Sequence, residues 1–174
     1  MNYIMNSEST CPGFELIEAS IGRVAKRVHG APVQDIVLVR LIKHLSAQLG
    51  SHIGRIVRPI GLNEVGFRTL MMLYANAEGV HPSELSEASS ETRTNTTRIC
   101  DELERKGLLR RRPSVEDRRK VVLELTRRGE NLIERVLPHV WRGLEHFSQA
   151  LSAKEKKELE RLMKKLASAM DEQH

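Results

Sequence analysis

Aromatic residues make up 3% of this 174-residue chain: one tryptophan, two tyrosines and three phenylalanines. That scarcity argues against a β-sandwich and against an aromatic-lined carbohydrate site. Cysteine is nearly missing too. Cys11 and Cys100 cannot build a disulfide framework, no Cys-x-x-Cys or Cys/His zinc spacing occurs, and a reducing cytoplasm fits. The seven histidines form no HxxxH or HExxH pair, so no metal site is expected. No apolar run approaches the ~20 residues of a membrane span, and the polar stretch Met1–Thr10 shows no signal peptide. The phosphate-cradling glycine patterns GxGxxG and GxxxxGK[ST] are absent, as is the GxSxG nucleophile turn. No repeat of 20–50 residues is evident. Nothing positive supports an enzyme or a cofactor.

What is present favours helices that contact a polyanion. Hydrophobic residues (40%) suffice for a core, and Leu, Glu, Lys, Arg and Ala dominate. The chain carries +5 overall. Between Arg105 and Lys120 lie eight basic and two acidic residues, a net +6, so charges elsewhere nearly cancel. A basic run is usually a solvated surface. Concentrated in a hairpin beside a helix, it points to nucleic acid.

Apolar spacing predicts the elements. Met1–Gly13 reads as a disordered start. Phe14, Ile17, Ile21, Val24 and Val28 form a helical stripe, ended by Gly30-Ala-Pro32. A long helix follows over Val33–Val57, broken at Arg58-Pro59-Ile60-Gly61. Asn63 caps Glu64–Ala75, and Val80 is a short strand residue. Pro82–Ala88 and a helix from Thr92 to Lys106 form a helix-turn-helix about Ser89-Ser90-Glu91. Leu108–Arg112 and Lys120–Leu125 are paired strands, with Pro113 at the start of their loop. Thr126 caps a helix containing Pro138, where a kink is expected. Ser152-Ala-Lys-Glu155 is a capping box opening the last helix. The fold class is therefore mainly α with a small β-hairpin wing: a winged helix-turn-helix (61–128) flanked by dimerisation helices (14–60 and 129–174). Strong apolar stripes at both ends favour a homodimer, which would set two reading helices about one DNA turn (~34 Å) apart.

The helix after Thr92 divides cleanly. Thr96, Ile99, Cys100 and Leu103 share an inward face, making Cys100 a core residue. Thr94, Asn95, Arg98, Asp101 and Arg105 share the other, near the end where a recognition helix touches bases. Asn95 suits adenine and Arg98 guanine, each such contact being worth ~1–3 kcal/mol of discrimination. Thr94 and Thr97 suit phosphates or a thymine methyl, and Arg93 a phosphate or a base equally; the alternative is ordinary solvated side chains. Asp101 is expected to pair with an arginine rather than repel phosphate. At the wing tip, Asp117 can hold an arginine side chain extended by a salt bridge, presenting Arg118 and Arg119 to the narrow minor groove. The alternative is a turn pair that stabilises only the hairpin. Arg110, Arg111 and Arg112 alternate faces, so at most two point one way. Arg40 and His44, one helical turn apart, are candidates for holding a carboxylate; surface snorkelling is the other reading.

These motifs resemble the winged helix-turn-helix of the MarR family of bacterial transcription regulators. The matching residues are Pro82-Ser-Glu-Leu85-Ser, Asp101-Glu-Leu103-Glu-Arg-Lys-Gly107, Asp117-Arg-Arg119 and Leu125-Thr126-Arg-Arg-Gly129. Arg93-Thr-Asn-Thr-Thr-Arg98 and the Gln34–Leu62 stretch resemble the EmrR-like branch of multidrug-efflux repressors. The resemblance spans about residues 30 to 170. It implies a helical homodimer on palindromic double-stranded promoter DNA, released by a small-molecule effector, often a phenolic or aromatic acid. It also implies that Asp117 and Arg119 match the family's supporting aspartate and minor-groove arginine. The Phe14–Val28 helix is an addition to the usual family start, and dimer contact is its expected role. Redox-sensing members carry their cysteine in the first long helix. Here that helix has none and Cys11 lies upstream, although a cysteine-based sensor remains an alternative. A helical protein–protein adaptor without an operator is another.

Overall fold

The computed structural model describes residues 12–89, 91–114, 117 and 119–171. The expectations for Met1–Cys11, for the turn residue Ser90 and for Arg118 lie outside the described residues. The chain divides into two compact units after His52.

The first unit holds helix α1 (Pro12–Arg27) and most of α2 (Val33–Val57). Phe14 is buried, and its ring lies 5.8 Å from that of His44. The expected α1 stripe is only partly covered in the single chain. Phe14 and Ile21 are buried, while Val24 and Val28 stay more than half exposed.

In the second unit, Val57 at the end of α2 is fully buried, and a 3-10 turn (Arg58–Ile60) closes on Gly61 in the left-handed region. Asn63 caps α3 (Glu64–Ala75) by accepting from the Gly66 N–H at 2.7 Å, as its position predicts. Helices α4 (Pro82–Ser89) and α5 (Arg93–Arg105) follow. Thr92 caps α5, and Lys106 ends it as the C-cap rather than as a helical residue.

Strands β1 (Leu109–Pro113) and β2 (Val121–Leu125) pair antiparallel, Leu109 opposite Leu125 and Pro113 opposite Val121. The sequence reading set β1 one residue too early and put Pro113 in the loop. A proline is tolerated at the strand's outer end because the next amide, Ser114, takes over the pairing by donating to the Lys120 carbonyl at 2.8 Å. On its other edge, Leu123 exchanges two backbone hydrogen bonds with Val80, the strand residue the sequence indicates.

Thr126 caps α6 (Arg127–Ser148), which continues through Pro138 as one helix. Ser152 and Glu155 complete the predicted reciprocal box before α7 (Ala153–Asp171). One core joins Val57, Leu70, Leu85, Ile99, Leu103, Leu123 and Ile133 across α3 to α6 and the wing. By contrast, all the described side chains of α7 from Ala153 to Met170 are exposed, including Leu159, Leu162, Met163 and Leu166. None of the helices is long and apolar enough to cross a membrane among the described residues.

Candidate nucleic-acid interface

Helix α5 carries two faces. Thr96, Ile99, Cys100 and Leu103 are buried. Burial pushes the Cys100 thiol up to about 11, so it is protonated at neutral pH. Arg93, Thr94, Thr97 and Arg98 are exposed, with Asn95 half-buried between them. The Thr97 hydroxyl donates back to the Arg93 carbonyl at 2.9 Å, which fixes its rotamer and leaves the methyl outward-capable.

Asn95 is more tightly engaged than its position suggested. Its Nδ2 donates to Glu91 Oε2 at 2.5 Å, and its Oδ1 accepts from an Arg98 guanidinium nitrogen at 2.9 Å. Glu91 is in turn bridged at 3.0 Å by Arg68 of α3. A bidentate adenine contact would use the same two amide atoms. Hydrogen bonds to charged groups are worth roughly 1.5–3 kcal/mol each, against ~1–3 kcal/mol for a base pair contact. An adenine contact by Asn95 would have to displace both of these charged neighbours.

The strand arginines are also engaged. Arg110 reaches Glu124 at 2.9 Å, and Arg112 pairs with the same carboxylate from the same side of the sheet. Those two arginines, Arg112 first, hold the Glu124 carboxyl below the ordinary glutamate range. Arg111 points the other way, to Asp101 at 2.7 Å and to Glu104, tying the wing to α5. The alternation and the pairing of Asp101 are thus as expected. Lys106 binds Glu102 at 2.6 Å and the Gly61 carbonyl at 2.5 Å. Much of the +6 cluster is therefore neutralised within the fold. Among its described members, Arg119 and Lys120 at the wing tip are exposed and carry no carboxylate partner among the described residues.

Asp117 acts differently from the expected side-chain salt bridge. Its carboxylate accepts the backbone N–H of Arg119 at 3.0 Å, and its carbonyl accepts from Lys120 at 2.8 Å. Asp117 therefore shapes the turn that carries Arg119. Arg118, the other expected contact, lies outside the described residues.

Arg40 and His44 have separate settings. Arg40 is exposed and lines a cleft of about 310 Å³ between α1 and α2 with Ile17, Ile21, Val24 and Ile36. His44 is half-buried against Phe14.

Several organising residues escaped sequence reading: Glu91, Glu104, Glu124 and Arg68. One signal was available. Arg110 stands directly opposite Glu124 once the hairpin register is set, and opposite charges favour such positions. Thr126, read from the sequence as a helix cap, does more: its hydroxyl donates to the Gly107 carbonyl at 2.7 Å while accepting from Gly129 N–H at 3.1 Å, tying α6 to the end of α5.

Comparison with known proteins agrees with this geometry. The profile described as MarR family matches residues 62–121. The transcriptional repressor MprA of Escherichia coli K12 is 38% identical over 160 residues, covering 91% of each chain. The regulator PrsX of E. coli is 32% identical over 149 residues, covering 81% of this chain and 86% of its own. Among solved structures, a cysteine-to-serine variant of E. coli MarR complexed with operator DNA superposes with a TM-score of 0.70 at 28% identity, over 76% of this chain and 95% of that one. A MepR–DNA complex from S. aureus has the same fold, with a TM-score of 0.70 at 21% identity. The chain belongs to the MarR family of winged-helix transcriptional regulators, a family of regulators rather than enzymes.

Proposed function

We propose that this chain is a cytoplasmic, homodimeric repressor that reads a two-fold operator in duplex DNA. One observation carries the reading. The solvent face of α5 exposes Arg93, Thr94, Thr97 and Arg98, and the wing tip exposes Arg119, while the reverse face of α5 is core. The repressor relative and the operator-bound MarR structure support the same assignment. Residues 61–128 form the reading region in this account. Residues 14–60 and 129–174 form the dimer, a role supported by the bare apolar side chains of α7 and by Val24 and Val28.

Release by a small aromatic or phenolic acid fits the cleft between α1 and α2. Its walls are apolar, and Arg40 at the edge supplies one guanidinium without a carboxylate partner among the described residues. His44, one turn along α2, packs on Phe14 and is not among the residues lining this cleft. The effector must prefer the dimer geometry that misaligns the two reading helices.

Fluorescence anisotropy on duplex DNA from the chain's own upstream region tests the reading. Affinity is expected in the nanomolar range and falls steeply with salt. Arg119→Ala weakens binding across sequences and lowers the log–log salt slope by about one. Binding that ignores salt, or an Arg119→Ala protein that binds like the parent, contradicts it. Titrated with a hydroxybenzoate, the same complex should dissociate, and Arg40→Ala should blunt that response without loss of DNA affinity.

A further inference from the structure

Arg98 is held in place by a line of polar groups that starts outside its own helix. Arg68 of α3 bridges Glu91 Oε1 at 3.0 Å. The other oxygen of Glu91 accepts from Asn95 Nδ2 at 2.5 Å. Asn95 Oδ1 accepts from Arg98 at 2.9 Å. The two charged neighbours settle the amide's orientation. Turned over, Asn95 would set its oxygen against a carboxylate and its NH2 against a guanidinium. Glu91 is itself fixed at the helix-turn-helix corner, where its N–H donates to the Ser86 carbonyl at 3.2 Å and its carbonyl accepts from the Ser86 hydroxyl at 2.7 Å. The guanidinium uses one edge on Asn95. Its contact with Glu102 is long, at 3.9 Å, and the side chain is 62% exposed. A second edge is left for a bidentate partner such as guanine O6 and N7.

We propose that Glu91 and Asn95 are positioning residues that present Arg98 to a base, and that Asn95 does not itself read one. The inference rests on the DNA-reading role of α5 proposed above. Two hydrogen bonds fix the amide, the amide fixes the guanidinium, and less side-chain entropy is lost when Arg98 docks. Asn95 cannot pair with adenine without abandoning both charged neighbours. Specificity at this point of the operator therefore belongs to one residue and depends on three.

Selection from a randomised duplex pool, followed by sequencing, tests this with the parent and four variants. Arg98→Ala should lose about tenfold preference at one base pair of each half-site. Glu91→Ala and Asn95→Ala should relax preference at that same base pair and no other. Asn95→Ala/Arg98→Ala should match Arg98→Ala alone, because residues in one network do not add. Should Glu91→Ala lower the melting temperature, Asn95→Ala carries the same prediction with the corner intact. Relaxation at a different base pair in Asn95→Ala overturns the proposal, since Asn95 would then be a reader. So does a uniform, sequence-blind loss in Glu91→Ala with parental preference in Asn95→Ala. If the parent selects no sequence, DNA reading by α5 itself fails, a result distinct from the other two.

Discussion

Arg110 and Arg112 converge on one carboxylate, Glu124, across the hairpin. This single residue decides how much positive charge the strands of the wing display. Their hydrogen bonds lower its pKa, Arg112 contributing most. A carboxyl whose folded pKa lies below its unfolded one adds stability that is present above the unfolded value, about 4.3 for glutamate. That stability is lost as pH falls through the lowered folded value. Glu124→Gln should therefore melt earlier than the parent at neutral pH, and the gap should close in acid well below the ordinary glutamate range. Thermal melts of both proteins at the two pH values check this. A gap that persists unchanged in acid would show that the carboxylate charge does not hold the wing. The recognition arginine follows the same logic of side chains held by neighbours, through Glu91 and Asn95 rather than across a sheet.

The elements are joined at a few crowded points, and the sharpest is the seam between α5, β1 and α6. Gly107 ends the recognition region with φ +69, a left-handed conformation that suits glycine. Gly129, in the first turn of α6, faces the Leu108 carbonyl so closely that a Cβ would collide with that oxygen and lie 2.8 Å from Leu125 Cδ2. Gly129→Ala should destabilise the fold by about 1–3 kcal/mol, through a shifted helix rather than a lost contact. Chemical denaturation measures it; a parental midpoint would mean that the seam yields freely. Here the sequence was informative in two ways. Apolar period and caps located the helix starts within a residue or two, since Asn63, Thr92, Thr126 and Ser152 each satisfy a first-turn amide by a local rule. The motif glycine at 129 was visible only as a pattern. Its reason is a backbone approach between segments about 20 residues apart, which no local rule describes. The partners of the wing arginines were hidden likewise. Glu91, Glu104 and Glu124 look like ordinary surface acids until the register and the helix-turn-helix corner bring them to Asn95, Arg111 and Arg112. Within the basic cluster Arg105, Arg110, Arg119 and Lys120 are exposed, and Arg110 shares the Glu124 carboxylate with Arg112.

One chain presents one recognition helix and one wing, and it leaves unburied the apolar side chains of α7 together with Trp141, Leu144 and Phe147 of α6. In the proposed account a second copy covers these residues and sets the separation of the two reading helices, which an effector then alters. Symmetric partners demand a symmetric target. The direct test is hydroxyl-radical and base-methylation footprinting of the parent protein on its selected duplex, with the stoichiometry measured in the same solution. Two chains per duplex are expected, with two sets of protected major-groove guanines related by a two-fold axis and about one helical turn (~10 bp) apart, and minor-groove protection flanking them where Arg119 enters. A single protected patch, or one chain per duplex, would rule out a two-fold repressor.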